Sequence, residues 1–97
     1  MNLVYQITYQ PHVQRLFKKM DKSTQVEILS ELERLAQDPL HHPHIKRLAG
    51  ISEPGFRLRV GRWRVLYLLF HTNQIIEVID IFMKKSGTDY RRRLRRL

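Results

Sequence analysis

Apolar and polar side chains alternate at the start of the chain. Leu3, Tyr5, Ile7 and Tyr9 fall on one side, and Val4, Gln6 and Thr8 on the other. A period of two in β-branched and aromatic residues predicts a strand over 3–9. The period then lengthens. Pro11 suits the first turn of a helix, and Val13, Leu16 and Phe17 follow at helical spacing, predicting a helix over 11–19. Ile28, Leu29, Leu32, Leu35 and Ala36 share one face at a period of 3.6, with Glu27, Glu31, Glu33 and Arg34 on the other. Asp21, or Thr24 with Glu27 three residues later, caps this second helix, and Asp38-Pro39 ends it. Residues 39–55, with three prolines and two glycines, read as a long loop. Strand patterns return at Phe56–Val60, Trp63–Phe70 and Ile75–Phe82, separated by turns at Gly61-Arg62 and His71–Gln74. Both sides of Ile75–Phe82 are mostly apolar, which predicts a central strand and leaves its inward face open. Gly87 breaks the chain, and Thr88 or Asp89 caps a short basic helix over Tyr90–Leu97. The order β-α-α-β-β-β-α predicts one α+β domain over residues 1–97. Its sheet is expected to be antiparallel, with the last three strands as a meander and the two early helices packed on one face.

Composition agrees with a single core. Of 97 residues, 42% are hydrophobic and 28% charged, a globular rather than a disordered balance. No apolar run approaches the roughly 20 residues of a membrane span, and no basic stretch followed by an apolar one marks a secretory signal. The absence of cysteine excludes disulfides, thiolate zinc sites and thiol nucleophiles, and makes a cytoplasmic location the expectation. Charge changes the picture more. Lysine and arginine number 18 against 9 acidic residues, a net +9. Residues 1–40 hold five basic and five acidic residues; residues 41–97 hold thirteen and four. The whole excess lies in the second half, the footprint of a protein that meets a polyanion. Nucleic acid leads, an acidic partner protein follows, and a membrane surface comes last.

The segment GFRLRVGRWRVLY, residues 55–67, concentrates that charge. If Gly61-Arg62 is a two-residue hairpin loop, Val60 pairs with Trp63 and Arg59 with Arg64. Phe56, Leu58, Val60, Trp63, Val65 and Tyr67 then face the core, and Arg57, Arg59 and Arg64 share the other face. Like charges opposed in a sheet destabilise it, so the patch costs stability unless an anion binds there. A solvated basic face is the plainer reading of the same residues; the arginine fork, which grips phosphate through two N–H groups, favours an anion. Lys84 and Lys85 follow the last strand, and are expected at one edge of the patch. Tyr90 could stack on a base or clip the terminal helix. Arg91, Arg92, Arg93, Arg95 and Arg96 form a tail suited to general phosphate attraction. His41, His42 and His44 invite a metal reading, but the cluster is short and loop-borne, with neither cysteine nor a carboxylate at ligand spacing, so no metal site is expected. His12 and His71 read as isolated, His71 as solvated in its turn.

These residues resemble a known family. The element order, the stretch LAGISEPGFRLRVGRWRVLY (48–67) and the ending VIDIFMKKSGTDY (78–90) are similar to the RelE/ParE superfamily of toxins, and most of all to RelE-type mRNA interferases of type II toxin–antitoxin systems. The resemblance spans nearly the whole chain. It implies a ribosome-dependent endoribonuclease that cuts mRNA in the A site, without metal or cofactor. The ribose 2′-hydroxyl would attack the adjacent phosphorus, leaving a 2′,3′-cyclic phosphate and a 5′-hydroxyl. Carried over by motif, Arg57, Arg59 and Arg64 would hold the scissile phosphate, Lys84 would assist the leaving 5′-oxygen, and Tyr90 would stack on or orient the nucleotide. Lys46, Arg47, Arg62, Lys85 and the arginine tail would contact ribosome and mRNA. Some relatives carry lysine where Arg57 and Arg59 stand, and arginine is common where Lys84 stands. Arginine stays protonated, so the motif names no proton acceptor for the 2′-hydroxyl. The resemblance further implies a cognate RelB-like antitoxin, acidic where it meets residues 56–64 and 84–97, and binding of operator DNA by the complex through that antitoxin. The alternatives are a ParE-like inhibitor of DNA gyrase and a degenerate toxin that only binds its antitoxin.

Overall fold

A computed structural model describes residues 4–49 and 54–84. The chain runs β1 (Gln6–Tyr9), α1 (Pro11–Lys18), α2 (Lys22–Gln37), β2 (Ile45–Arg47), β3 (Gly55–Val60), β4 (Trp63–Phe70) and β5 (Ile75–Met83). The strands form one sheet in the order β1-β5-β4-β3-β2. β3, β4 and β5 make the expected antiparallel meander. Two expectations are corrected. The sheet is mixed, because β1 lies parallel to β5, with Ile7 beside Ile76 and Tyr9 beside Val78. α1 and α2 carry the chain from β1 at one edge of the sheet to β2 at the other, and the strands β2 to β5 then lead back until β5 lies beside β1, running the same way. The predicted loop at 39–55 also holds a strand, β2, which covers the outer edge of β3. The expected C-terminal helix lies outside the described residues.

Local chemistry explains the helices. Pro11 occupies the first turn of α1, where its missing N–H costs nothing. Of the two caps read from the sequence, Asp21 is the one used: its Oδ1 accepts from the Thr24 N–H at 3.2 Å. The Thr24 side chain, the Ser23 hydroxyl and this backbone bond together hold the Asp21 carboxyl below its ordinary range. α2 buries Ile28, Leu32, Leu35 and Ala36 against the sheet. Leu29, expected among them, is exposed, and with Phe17, Lys18 and Tyr9 it lines a shallow cleft beside α1.

The main core lies between the helices and one face of the sheet. Leu58, Val60, Val65, Tyr67, Leu69, Ile76, Val78 and Ile81 meet Val13 and the α2 residues there, with Phe56 and Trp63 packed at its margin. Phe56 and Tyr67 stack at 5.6 Å between ring centroids. Burial pushes the Tyr67 hydroxyl's pKa upward, and its oxygen has no hydrogen-bond partner. β5 is central, as expected, between β1 and β4. Its register slips between Leu66 and Tyr67, whose partners are Asp80 and Val78. The bulge at Ile79 switches the side-chain alternation, which is why neither face of this strand looked inward by sequence alone.

Candidate nucleic-acid interface

The β3–β4 hairpin turns on Gly61, which takes the left-handed φ of 57° that a two-residue loop needs at its first position. The register is the expected one, with Val60 opposite Trp63, Arg59 opposite Arg64, Leu58 opposite Val65 and Arg57 opposite Leu66. Alternate residues therefore point to opposite sides of the sheet. Leu58 and Val60 enter the main core, whereas Arg57, Arg59 and Arg64 occupy the outer face. β2 adds to that face, because Lys46 is the partner of Arg57 on its other side. The turn and the end of β5 complete the rim: the Lys84 N–H donates to the Arg62 carbonyl at 2.9 Å, extending the strand ladder by one residue.

The three arginines differ in setting. Arg59 is exposed, Arg57 half-buried and Arg64 buried. Arg64 lies off the core face, as the alternation predicts, and it is nevertheless buried. Its Nη1 donates to the carbonyls of Gly61 and Trp63, both at 2.9 Å, tying the guanidinium to its own hairpin. The Nε atoms of Arg57 and Arg64 are buried and have no hydrogen-bond partner. Both are obligate donors, and an unmet buried N–H is costly.

Beside the arginines lies a second, smaller apolar cluster. Leu66, Leu68, Ile79 and Phe82 are buried there, with Leu48 and Phe70 against them. Phe82 is the strand partner of Arg64, and Leu66 that of Arg57. Apolar surroundings strengthen the field of each guanidinium by lowering the local dielectric. The arrangement offers fixed positive charge and unmet donors on rigid strands, which suits an anionic group placed over the hairpin.

The other basic residues separate. Lys46, Arg62 and Lys84 are exposed around the patch. Arg47 is exposed too, but it pairs with Phe56, so it belongs to the opposite side of the sheet. Lys85, Tyr90, Arg91, Arg92, Arg93, Arg95 and Arg96 lie outside the described residues. Among the described residues, no group of three metal-ligating side chains comes together, and no helix is long and apolar enough to cross a membrane.

The loop histidines correct a further expectation, for carboxylates do reach two of them. His41 Nδ1 lies 2.7 Å from Asp38 Oδ1, and His42 Nε2 lies 2.8 Å from Glu31 Oε2. The His42 bond, helped by Arg34, holds the Glu31 carboxyl below its ordinary range. His44 instead meets the arginine patch: Arg59 Nη2 is 3.0 Å from His44 Nδ1. No local pattern signals this contact, because it depends on β2. His71 is exposed, as expected, but not isolated, since it shares a 3.0 Å hydrogen bond with the Tyr5 hydroxyl.

Comparison with known proteins bears on the family and the fold. Residues 7–86 match the family described as the ParE toxin of the type II toxin–antitoxin system, parDE. No curated protein sequence matches the chain. Among solved structures, the fold is similar to that of a chain in the archaeal RelE–RelB complex from Pyrococcus horikoshii OT3. The TM-score is 0.75 and the identity 17%, over 87% of this chain and 99% of that one. It is similar to a chain in the toxin–antitoxin complex RelBE2 from Mycobacterium tuberculosis, with TM-score 0.73 and 16% identity over 87% and 95%. It is also similar to a mutant of E. coli toxin RelE in the free state, with TM-score 0.71 and 15% identity over 97% and 98%.

Proposed function

The chain belongs to the RelE/ParE superfamily of type II toxin–antitoxin toxins, and from that premise we propose that it is a cytoplasmic ribosome-dependent endoribonuclease of the RelE kind. The observation that carries the reading is the outer face of the hairpin. Three arginines share that face with an apolar cluster and the buried Asp80, and two of them hold buried N–H donors with no partner. A scissile phosphate is the group such a face would hold. Attack by a 2′-hydroxyl spreads negative charge over a five-coordinate phosphorus, and preplaced guanidinium groups lower the energy of that state more than of the ground state. In this reading Arg57, Arg59 and Arg64 bind the phosphate. Lys84 protonates the departing 5′-oxygen, and Tyr90 stacks on the nucleotide. Lys46, Arg62, Lys85 and the arginine tail hold rRNA and mRNA by their charge. Arg47, on the other side of the sheet, is better suited to the antitoxin.

Toxin relatives solved with RelB support a RelB-like partner for this chain. An acidic segment of that partner laid over residues 56–64 would offset the opposed arginines, and its association would weaken with salt. Operator binding by the pair would follow through the antitoxin.

The test is primer extension on mRNA in a purified translation system. Wild type should cut inside A-site codons only when ribosomes are present, and Arg57→Ala and Tyr90→Phe should abolish or strongly reduce the cuts. A second reading has one observation in its favour, the match to the ParE toxin family. A folded wild type that arrests growth, leaves mRNA intact and blocks supercoiling by purified DNA gyrase would establish that reading and overturn the first.

A further inference from the structure

The motif that names the phosphate-binding arginines names no group to take the proton from the attacking hydroxyl. Arg57, Arg59, Arg64, Lys46 and Lys84 are cations at neutral pH and have no lone pair to offer. Among the described carboxylates of the outer face, Asp80 is buried and accepts the Ile81 N–H at 2.9 Å. Glu77 accepts from Gln10 at 3.1 Å, opposite Leu68 at the far end of β4.

His44 is different. β2 pairs Ile45 with Leu58 and Lys46 with Arg57, and one step earlier the Arg59 N–H donates to the His44 carbonyl at 3.0 Å. The alternation therefore puts the His44 ring on the arginine face. Its Nδ1 lies 3.0 Å from Arg59 Nη2. A guanidinium only donates, so in this contact Nδ1 is the accepting nitrogen. The backbone of His44 is anchored from behind. Its N–H donates to His42 Nδ1 at 3.1 Å, and His42 Nε2 meets Glu31 at 2.8 Å, with the His42 side chain 2% exposed. The result is an exposed imidazole on a fixed backbone, its lone pair aimed at the charge that would bind the phosphate.

We propose that His44 is the proton acceptor of the reaction, an inference that rests on the nuclease reading above. When the phosphate takes the Arg59 guanidinium, Nδ1 is released beside it. The 2′-O–H bond then breaks toward Nδ1, and the 2′-oxygen forms its bond to phosphorus. The P–O5′ bond breaks with its electron pair on the 5′-oxygen, which takes a proton from the Lys84 ammonium. The products are a 2′,3′-cyclic phosphate and a 5′-hydroxyl. The His44 imidazolium and Lys84 amine return to their starting forms by proton exchange with water.

The experiment is single-turnover cleavage of mRNA on programmed ribosomes by wild type, His44→Gln and His44→Ala, with melting curves for all three. His44→Gln keeps an oxygen to accept from Arg59 but takes no proton. Both variants should melt like wild type, since the ring is exposed. Both should lose about 10²-fold or more in rate at saturating protein, with the half-saturating concentration changed less than about twofold. Added imidazole should restore part of the His44→Ala rate. Full activity in His44→Gln with a slow His44→Ala would overturn the inference in favour of a residue that only positions Arg59. Full activity in both would overturn it outright. Either result leaves the nuclease reading standing. A wild type that folds and cuts nothing removes both.

Discussion

The two faces of the β3–β4 hairpin are built from neighbouring residues and obey different rules. On the helix side every position is apolar, and Leu58, Val65 and Tyr67 are fully buried among α2 side chains. On the outer side Arg59 opposes Arg64, Lys46 opposes Arg57, and two guanidinium Nε atoms are buried without partners. The first face lowers the free energy of the fold; on the second, the opposed cations and unmet donors raise it, although Arg64 also braces its own turn. One strand can hold both, because the pleat sends alternate side chains to environments that barely touch. Substitutions one residue apart should therefore separate stability from activity.

Leu58→Ala should show the largest effect on folding. Removing a fully buried leucine costs about 2–5 kcal/mol, read as a lower midpoint in urea or thermal unfolding. A loss under about 1 kcal/mol would mean that the helix-side face is not the stabilising one. Trp63 and Arg64 make the second adjacent pair. Trp63 is only half-buried at the core margin, so Trp63→Ala should lie near or below the bottom of the roughly 3–5 kcal/mol range for buried aromatic truncations. Arg64→Ala should also cost stability, about 1–3 kcal/mol, because two turn carbonyls lose their donor. Its cleavage rate must therefore be compared at a temperature where the variant is folded. An Arg64→Ala variant as stable as wild type would sever the link between this arginine and its turn.

The Glu31–His42 contact gives a smaller, pH-dependent effect. Glu31 is held below its ordinary value, chiefly by the His42 hydrogen bond. A carboxyl depressed in the folded state contributes stability that is complete above its unfolded value of 4.5 and is lost as pH falls through the folded one. Melting temperature plotted over about pH 3 to 6 should fall on the acid side, and Glu31→Gln should flatten part of that fall. An unchanged acid limb in the variant would place the dependence elsewhere, Asp21 being the other depressed carboxyl among the described residues.

Legibility in the sequence followed the range of the information. The alternation of Phe56–Tyr67 around Gly61-Arg62 is local, and it gave the register and both faces of the hairpin. Local capping gave α2 its start. The parallel placement of β1 beside β5 depends on how the chain returns after two helices, which no short window records. β2 is three residues, Ile45–Arg47, too short to show a period and flanked by proline-rich loop. Missing it also hid the His44–Arg59 contact. The Ile79 bulge scrambled a period that is otherwise the best strand signal. Alternation also gives side but not depth, so it places Arg64 on the outer face without showing that it is buried there. The glutamate that meets His42 is eleven residues upstream, on a helix, beyond any ligand-spacing rule.

Arg57 sets the sharpest contrast, because its expected effect on folding is the smallest and its expected effect on activity is among the largest. It sits between Lys46 and Leu66, beside Leu58. Arg57→Leu removes a like-charge opposition with Lys46 and an unmet buried N–H, and it places an apolar side chain next to the apolar cluster. The melting temperature should stay level or rise slightly, by about 1 kcal/mol of added stability at most. Cleavage on the ribosome should drop by about 10²-fold or more, as expected for loss of a charge that acts on the transition state. The comparison breaks in either of two ways. A variant destabilised as much as Leu58→Ala would show that the arginine face is structural after all. A stable variant that still cleaves would leave the phosphate to Arg59 and Arg64. A gain in stability with a loss of cleavage is the signature of a face kept for its ligand at the expense of the fold.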